Sequence, residues 1–284
     1  MVDETSHASG APNQQTEAFY AVKFLRRKRF ETLLLSSESC PVKTSSICGD
    51  PRNSCIDKVP MTKHPSPSKQ SIVMLSSPKG GVGKSSLSRN ILVLAAQAGR
   101  QVLGLDMDKQ ATLATWAERR ERVRASIPAV SHIPVHRASL DDWRSTLKMA
   151  RQSSADFIVI DTPPSIEINM TAILGLCEGS DFVLVPCQQS QDDLDSVIPW
   201  MRHLKQSGAK AAFIINRANI RTRSYATIRS KLLNVGPVCP VEIAQAEEIS
   251  LANGKGLGVM DLSRPKNAEA FGALWSYLRQ ELDL

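Results

Sequence analysis

"SSPKGGVGKSS", residues 76–86, decides the fold. The ordinary phosphate-binding loop reads G-x-x-x-x-G-K-[ST]. Gly83, Lys84 and Ser85 complete its second half, but Pro78 stands where its first glycine belongs. Two lysines, Lys79 and Lys84, flank the glycines, although such a loop needs only one. "IVMLSS" before it reads as a buried strand, and a helix is expected from about Lys84. Strand, glycine-rich turn and helix are the context this loop requires. Its backbone N–H groups, over Gly80, Gly81, Val82 and Gly83, can curl around phosphate oxygens, and the helix N-terminus adds its dipole. Lys84 would neutralise the β and γ phosphates, and Ser85 would offer its hydroxyl to Mg²⁺. Ser86 belongs to the same nucleotide-binding run. Pro78 removes one donor at the loop entry, outside the cradle.

Outward from the loop, apolar runs of strand length alternate with longer amphipathic stretches. The runs are 72–75, 102–105, 133–135, 157–160, 182–185, 211–215 and 235–238. Helix-like stretches lie at 84–98, 110–125, 140–152, 192–206, 223–233 and 266–282. Runs apolar on both faces, separated by helices, predict an α/β fold of the P-loop NTPase type: a twisted, mostly parallel sheet with helices on both faces. That domain is expected over 69–284. Residues 1–68 are rich in Ser, Thr, Pro, Asn and Gln without sustained periodicity, and read as a tail ending in the linker "KHPSPSK", with Met61 a candidate alternative start. The basic group Arg26–Arg29 in that tail offers a second reading, a DNA-contacting arm.

The net charge is +7, a modest basic bias that suits a polyanionic partner. No apolar run approaches the ~20 residues of a membrane span. The acidic start, Asp3 and Glu4, does not resemble a secretory signal, and acidic residues around 23–35 speak against a transit peptide. Six cysteines include no CxxC pair; Cys40, Cys48 and Cys55 match no common zinc spacing, and all are read as reduced cytosolic thiols.

Further motifs follow in order. "VLGLDMDKQATLATW" carries Asp106 and Asp108 at a strand's end, where carboxylates two apart can both face a cleft. "DFIVIDTPPS" is an apolar strand ending in Asp161, placed to hold Mg²⁺ through water. "AFIINRAN" ends a strand in Asn216, whose amide can both donate to and accept from an adenine edge. With KGGVGKSS, these resemble the ParA/MinD/Soj family of deviant Walker A ATPases, closest to small plasmid-type ParA partition proteins. "VLVPCQQSQDDLDSV" and "VCPVEIAQAEEISLANGKGLGVMD" extend the resemblance over about residues 71–282.

The resemblance implies a specific division of labour. Lys79 matches the family's signature lysine, which reaches the partner subunit's ATP across a sandwich homodimer. Asp108 matches the residue that positions the attacking water, and Asp106 and Asp161 with Ser85 match the Mg²⁺ shell. Asn216 and Pro240 match the base-side residues. Two departures stand out: Lys109 replaces the usual proline before Gln110, and Val241 replaces the arginine after Pro240. A physical rationale supports the catalytic set, since a second cation supplied in trans stabilises charge developing on the leaving oxygens.

From Ser196 to Val241 there is no acidic residue, while Arg221, Arg223, Arg229 and Lys231 crowd the stretch. A one-sign surface attracts phosphate backbones without sequence preference, though charge runs also occur simply as solvated faces. The resemblance implies a cytoplasmic, nucleoid-associated partition ATPase that dimerises on ATP, holds non-specific DNA and is stimulated by a ParB-like partner. A conjugation or T-DNA-transfer ATPase shares these motifs. A MinD-like membrane switch is disfavoured because the last helix closes with Glu281 and Asp283. A nitrogenase-type reductase is disfavoured because Cys177, Cys187 and Cys239 lack the paired cluster pattern.

Overall fold

The computed structural model describes residues 69–164 and 166–284. The region read as a tail and linker, with Arg26–Arg29, Cys40, Cys48 and Cys55, lies outside them. Seven strands form one sheet in the order β3-β2-β4-β1-β5-β6-β7. They are β1 (Ser71–Leu75), β2 (Val102–Asp106), β3 (Val135–Arg137), β4 (Phe157–Asp161), β5 (Phe182–Cys187), β6 (Ala211–Ala218) and β7 (Ile243–Ala244). Every pairing is parallel, so each strand needs a crossover, and helices supply it. These are α1 (Lys84–Gln97), α2 (Thr112–Ser126), α3 (Trp143–Gln152), α4 (Met170–Glu178), α5 (Gln191–Gln206), α6 (Arg223–Leu233), α7 (Glu247–Gly254) and α8 (Ala268–Leu282).

The period-two geometry of a strand explains the two cores. Ile72, Met74, Ile158 and Ile160 face one side, packing with Ile173, Trp200 and Ile228 from α4, α5 and α6. Val73, Leu75, Phe157 and Val159 face the other, with Ile91, Trp116, Phe271 and Leu274 from α1, α2 and α8. Both faces of β1 and β4 are therefore buried, which is why their sequences are continuously apolar.

The run Val235–Val238 does not form a strand. It makes one isolated bridge, Val238 to Phe213, and the seventh strand comes later, at Ile243. Pro237 and Pro240 lack the N–H groups a ladder needs. Helices α4 and α7 were also absent from the sequence expectation. α4 is too short and too uniformly apolar to show a 3.6-residue period, and α7 ends in Asn253-Gly254, poor helix formers.

The last helix docks on the body of the domain. Its Phe271, Leu274, Leu278 and Leu282 are buried. Trp275 and Tyr277 pack edge-on against Phe157 and Phe182, and Lys210 pairs with Glu281 at 3.1 Å. No helix among the described residues is long and apolar enough to cross a membrane. A buried bidentate pair, Arg120 to Asp261 at 2.6 and 3.2 Å, ties α2 to the segment before α8. The remaining Arg120 donors reach the carbonyls of Ser131 and Gly256, so the buried guanidinium is well satisfied.

Candidate nucleotide-binding site

Parallel pairing brings the candidate residues together at the carboxyl ends of the strands. Leu75 at the end of β1 is in register with Asp161, and Asp106 with Asp161. The ladder itself therefore sets Asp106 and Asp161 beside the loop that leaves β1. Thr162 fastens that corner by donating to the Leu75 carbonyl at 2.8 Å.

The loop turns through two left-handed glycines, Gly81 at φ 75° and Gly83 at φ 95°. Gly83 is fixed twice over, since a Cβ there would sit 2.1 Å from the Asn216 amide nitrogen. It also caps α1 with no side chain, and no acidic residue occupies the helix's first turn. The first N–H groups of α1 and its positive dipole end consequently face the loop, a setting for an anion.

Lys84 is buried and donates to the carbonyls of Ser77 and Lys79, each at 3.2 Å. Burial lowers its pKa, opposed by the charges of Asp161 and Asp108. An ammonium group held in this way, by loop carbonyls, is well placed to meet phosphate oxygens in the same cradle. Lys79 behaves differently. Its side chain is 35% exposed and pairs with Asp193 at 3.3 Å and Asp192 at 3.9 Å, outside the cradle. Asp193 in turn accepts from the Gln188 N–H, and Gln188 donates through its side chain to the Gly81 carbonyl at 2.9 Å. The β5–α5 turn thus latches the phosphate loop. Sequence reading placed no site residue there, because Asp192 and Asp193 look like ordinary acidic residues of a helix's first turn.

Asp161 is fully buried. Its Oδ1 accepts from Ser88 at 3.2 Å, and its Oδ2 has no partner. Burial pushes its pKa up to about 7, against hydrogen bonding from Ser85 and the charge of Lys84. An unpartnered buried carboxylate oxygen beside the Ser85 hydroxyl is a donor set that fits Mg²⁺, with phosphate and water completing the shell. No group of three or more His, Cys, Asp or Glu poised for a metal occurs among the described residues.

The raised pKa carries a stability consequence. The unfolded carboxyl loses its proton near 3.8 and the folded one near 7. Between those values the native state holds more protons, so stability falls as pH rises through the window and is flat outside it. Asp161→Asn should therefore raise the melting temperature of the nucleotide-free protein by several degrees at pH 8, with the gain shrinking toward pH 4. Calorimetry across that range checks this; a gain independent of pH would overturn it.

Asp106 is buried with both oxygens engaged, accepting from the N–H of Asp108 at 3.1 Å and of Ala114 at 2.8 Å. Its first task here is to hold the turn that presents Asp108. Asp108 is half-buried, accepts from the Gln110 N–H at 3.0 Å, and lines a cleft of about 620 Å³ with Arg137, Pro163, Pro164 and Ile168.

Asn216, at 6% exposure, crosses to the loop and donates to the Val82 carbonyl at 2.7 Å. With Gly83 and Ser86 it borders a cavity of about 330 Å³ closed by Arg217 and by residues 244–247, Ile249 and Ser250. Pro240 is exposed and is not among the residues bordering that cavity. The β7–α7 turn takes that side instead, a segment whose short strand sequence gave little signal.

The basic candidates divide. Arg221, on the loop entering α6, and Arg223, the first residue of that helix, are exposed. Arg229 is half-buried beside Tyr225, and Lys231 donates to the Gln191 side chain at 3.0 Å. At 3.6 residues per turn Arg229 lies about 120° around the helix from Arg223, so the four do not share one face.

A parallel sheet with a phosphate loop leaving its central strand, and a carboxylate in register on the next, defines a P-loop NTPase fold. The family model "CobQ/CobB/MinD/ParA nucleotide binding domain" matches residues 73–259, and the chain belongs to that family. A curated relative, "Maintenance of carboxysome distribution protein A" from Halothiobacillus neapolitanus, is 29% identical over 190 residues, 65% of this chain and 84% of the relative. Among solved structures, the septum site-determining protein MinD complexed with Mg-ADP from Pyrococcus horikoshii superposes with a TM-score of 0.59 at 20% identity, covering 74% of this chain and 96% of that one. An ATP complex of McdA from Cyanothece gives 0.57 at 18% identity, covering 74% and 97%. At those identities the structural likeness bears on the fold.

Proposed function

We propose that this protein is an ATP-hydrolysing partition protein that dimerises on ATP, holds DNA without sequence preference and is stimulated by a ParB-like partner to move a plasmid or chromosome origin. The observation that carries it is the division between the two lysines. Lys84 is buried in its own loop, whereas Lys79 sits outside the cradle on a half-exposed side chain, available to a second subunit. The nucleotides bound by the MinD and McdA structures support ATP as the ligand. Ser85 and Asp161 would hold Mg²⁺, which supplies charge neutralisation between the phosphates. Asp108 would orient and accept a proton from the attacking water, and Asn216 would meet the base.

Arg221 and Arg223 are the exposed members of the basic stretch and carry the DNA reading. In a DNA-binding assay across a salt series, affinity should require ATP. Arg221→Ala/Arg223→Ala should bind weakly, with a log K against log salt slope shallower by about 2. Equal slopes for the two proteins would place the DNA surface elsewhere.

A second reading exchanges the origin for a large protein assembly as cargo. The 29%-identical relative named for carboxysome distribution favours it. A membrane-switch role is opposed by the docked apolar face of α8. Robust sedimentation with anionic liposomes in ATP would reverse that choice.

A further inference from the structure

Ser86 is held from two directions by amide side chains. Its carbonyl accepts from Asn90 Nδ2 at 2.8 Å, and its Oγ accepts from Asn253 Nδ2 at 2.8 Å. Asn90 in turn accepts from the Val259 N–H at 2.7 Å. The first turns of α1 are thereby bolted to α7 and the segment beyond it, which lies more than 160 residues away in sequence. Asn253 is 6% exposed, so this contact is shielded from competing water. Ser86 also borders the cavity between the phosphate loop and Asn216.

The chemistry of the contact is directional. A hydroxyl has one proton and two lone pairs. An amide N–H donated to Ser86 Oγ occupies a lone pair and leaves the hydroxyl proton free to donate. A donor suits an anionic or electron-rich ligand atom, so the amide sets the polarity of the hydroxyl that borders the cavity. Asn253 Oδ1 has no hydrogen-bond partner, and the Nδ2 bond to Ser86 is the contact that holds the amide against α1. Nothing in the motif pattern of the phosphate loop calls for this residue, and α7 is one of the two helices that sequence periodicity did not reveal.

We infer that Asn253 is a positioning residue for the nucleotide: it orients the Ser86 hydroxyl as a donor toward the phosphate–sugar portion of the ligand and couples α7 to occupancy of the loop. The inference rests on the nucleotide reading above. Because Ser86 stands between the loop and the base side, rather than at Lys84, the effect falls alike on ADP and ATP.

The test is calorimetric titration of the full chain with Mg-ADP and with a non-hydrolysable Mg-ATP analogue. Asn253→Leu removes the donor at similar volume and should raise both dissociation constants about fivefold, the worth of one hydrogen bond. In a Ser86→Ala background the same substitution should add nothing. Asn253→Asp turns donor into acceptor, reverses the Ser86 hydroxyl and adds repulsion, and should weaken both ligands about tenfold or more. Thermal melts of the nucleotide-free variants identify any that fail to fold, and the pair of backgrounds separates positioning from packing. Equal losses from Asn253→Leu with and without Ser86, or no loss at all, would overturn the assignment while leaving the nucleotide reading intact. A wild-type chain that binds neither nucleotide would overturn both.

Discussion

Replacing Lys79 with alanine should lower stimulated ATP turnover about 10³-fold, the scale seen when a transition-state cation supplied in trans is lost. Nucleotide binding by the single chain should change little. The reason lies in the two lysines' surroundings. Lys84 is buried and gathered by the carbonyls of Ser77 and Lys79, and the second of these is backbone and survives the substitution. The Lys79 ammonium instead reaches Asp193 and Asp192 on the β5–α5 turn. Lys79 is 35% exposed and Asp193 is buried, so releasing Lys79 to another subunit depends on the hydrogen bonds Asp193 keeps. Asp193 keeps its bond from the Gln188 N–H when the lysine leaves. Stimulated turnover together with titration of the single chain with a non-hydrolysable ATP analogue reads both halves of the expectation. Full turnover by the variant would remove Lys79 from the catalytic set, and loss of binding by the single chain would show that Lys79 serves its own nucleotide.

Asp108→Ala should come next in size, lowering turnover about 10²- to 10⁴-fold while ATP-dependent association persists. Asp108 is half-buried at the mouth of the cleft, and its backbone is held by Asp106 through the Asp108 N–H. Truncating its side chain removes the carboxylate without disturbing that anchor, since Asp106 also keeps the Ala114 N–H. The variant should accumulate in the ATP-bound, DNA-holding form. Unchanged stimulated hydrolysis would remove Asp108 from the catalytic set. Asp106→Ala is a contrasting case, because it would free two backbone donors and displace Asp108 along with the turn.

Much of this molecule is legible in its sequence. The phosphate loop, the alternation of apolar runs with helices, and the carboxylates at strand ends are local patterns. Each follows from backbone geometry over a few residues: glycine where φ is positive, apolar residues where both faces of a strand are covered, Asp where a buried strand emerges. The helix starting at Lys84 and the strand ending at Asp161 fall where those patterns put them.

What the chain could not announce were contacts between segments far apart in sequence. Gln188 on Gly81, Asp193 on Lys79, Asn216 on Val82 and Asn253 on Ser86 join residues more than a hundred positions apart. A polar side chain in a turn or a short helix has many available partners, and only parallel pairing of β1 with β5, and of β5 with β6, chooses among them. The same holds for the cavity beside Asn216, where Pro240 matched a pattern yet is exposed, and the β7–α7 turn closes the space. Two prolines stopped the expected strand at 235–238, and the chain met the sheet edge again only at Ile243. Local chemistry thus determined which residues this protein has for binding a phosphate, whereas the register of a parallel sheet decided which distant side chains hold them in place.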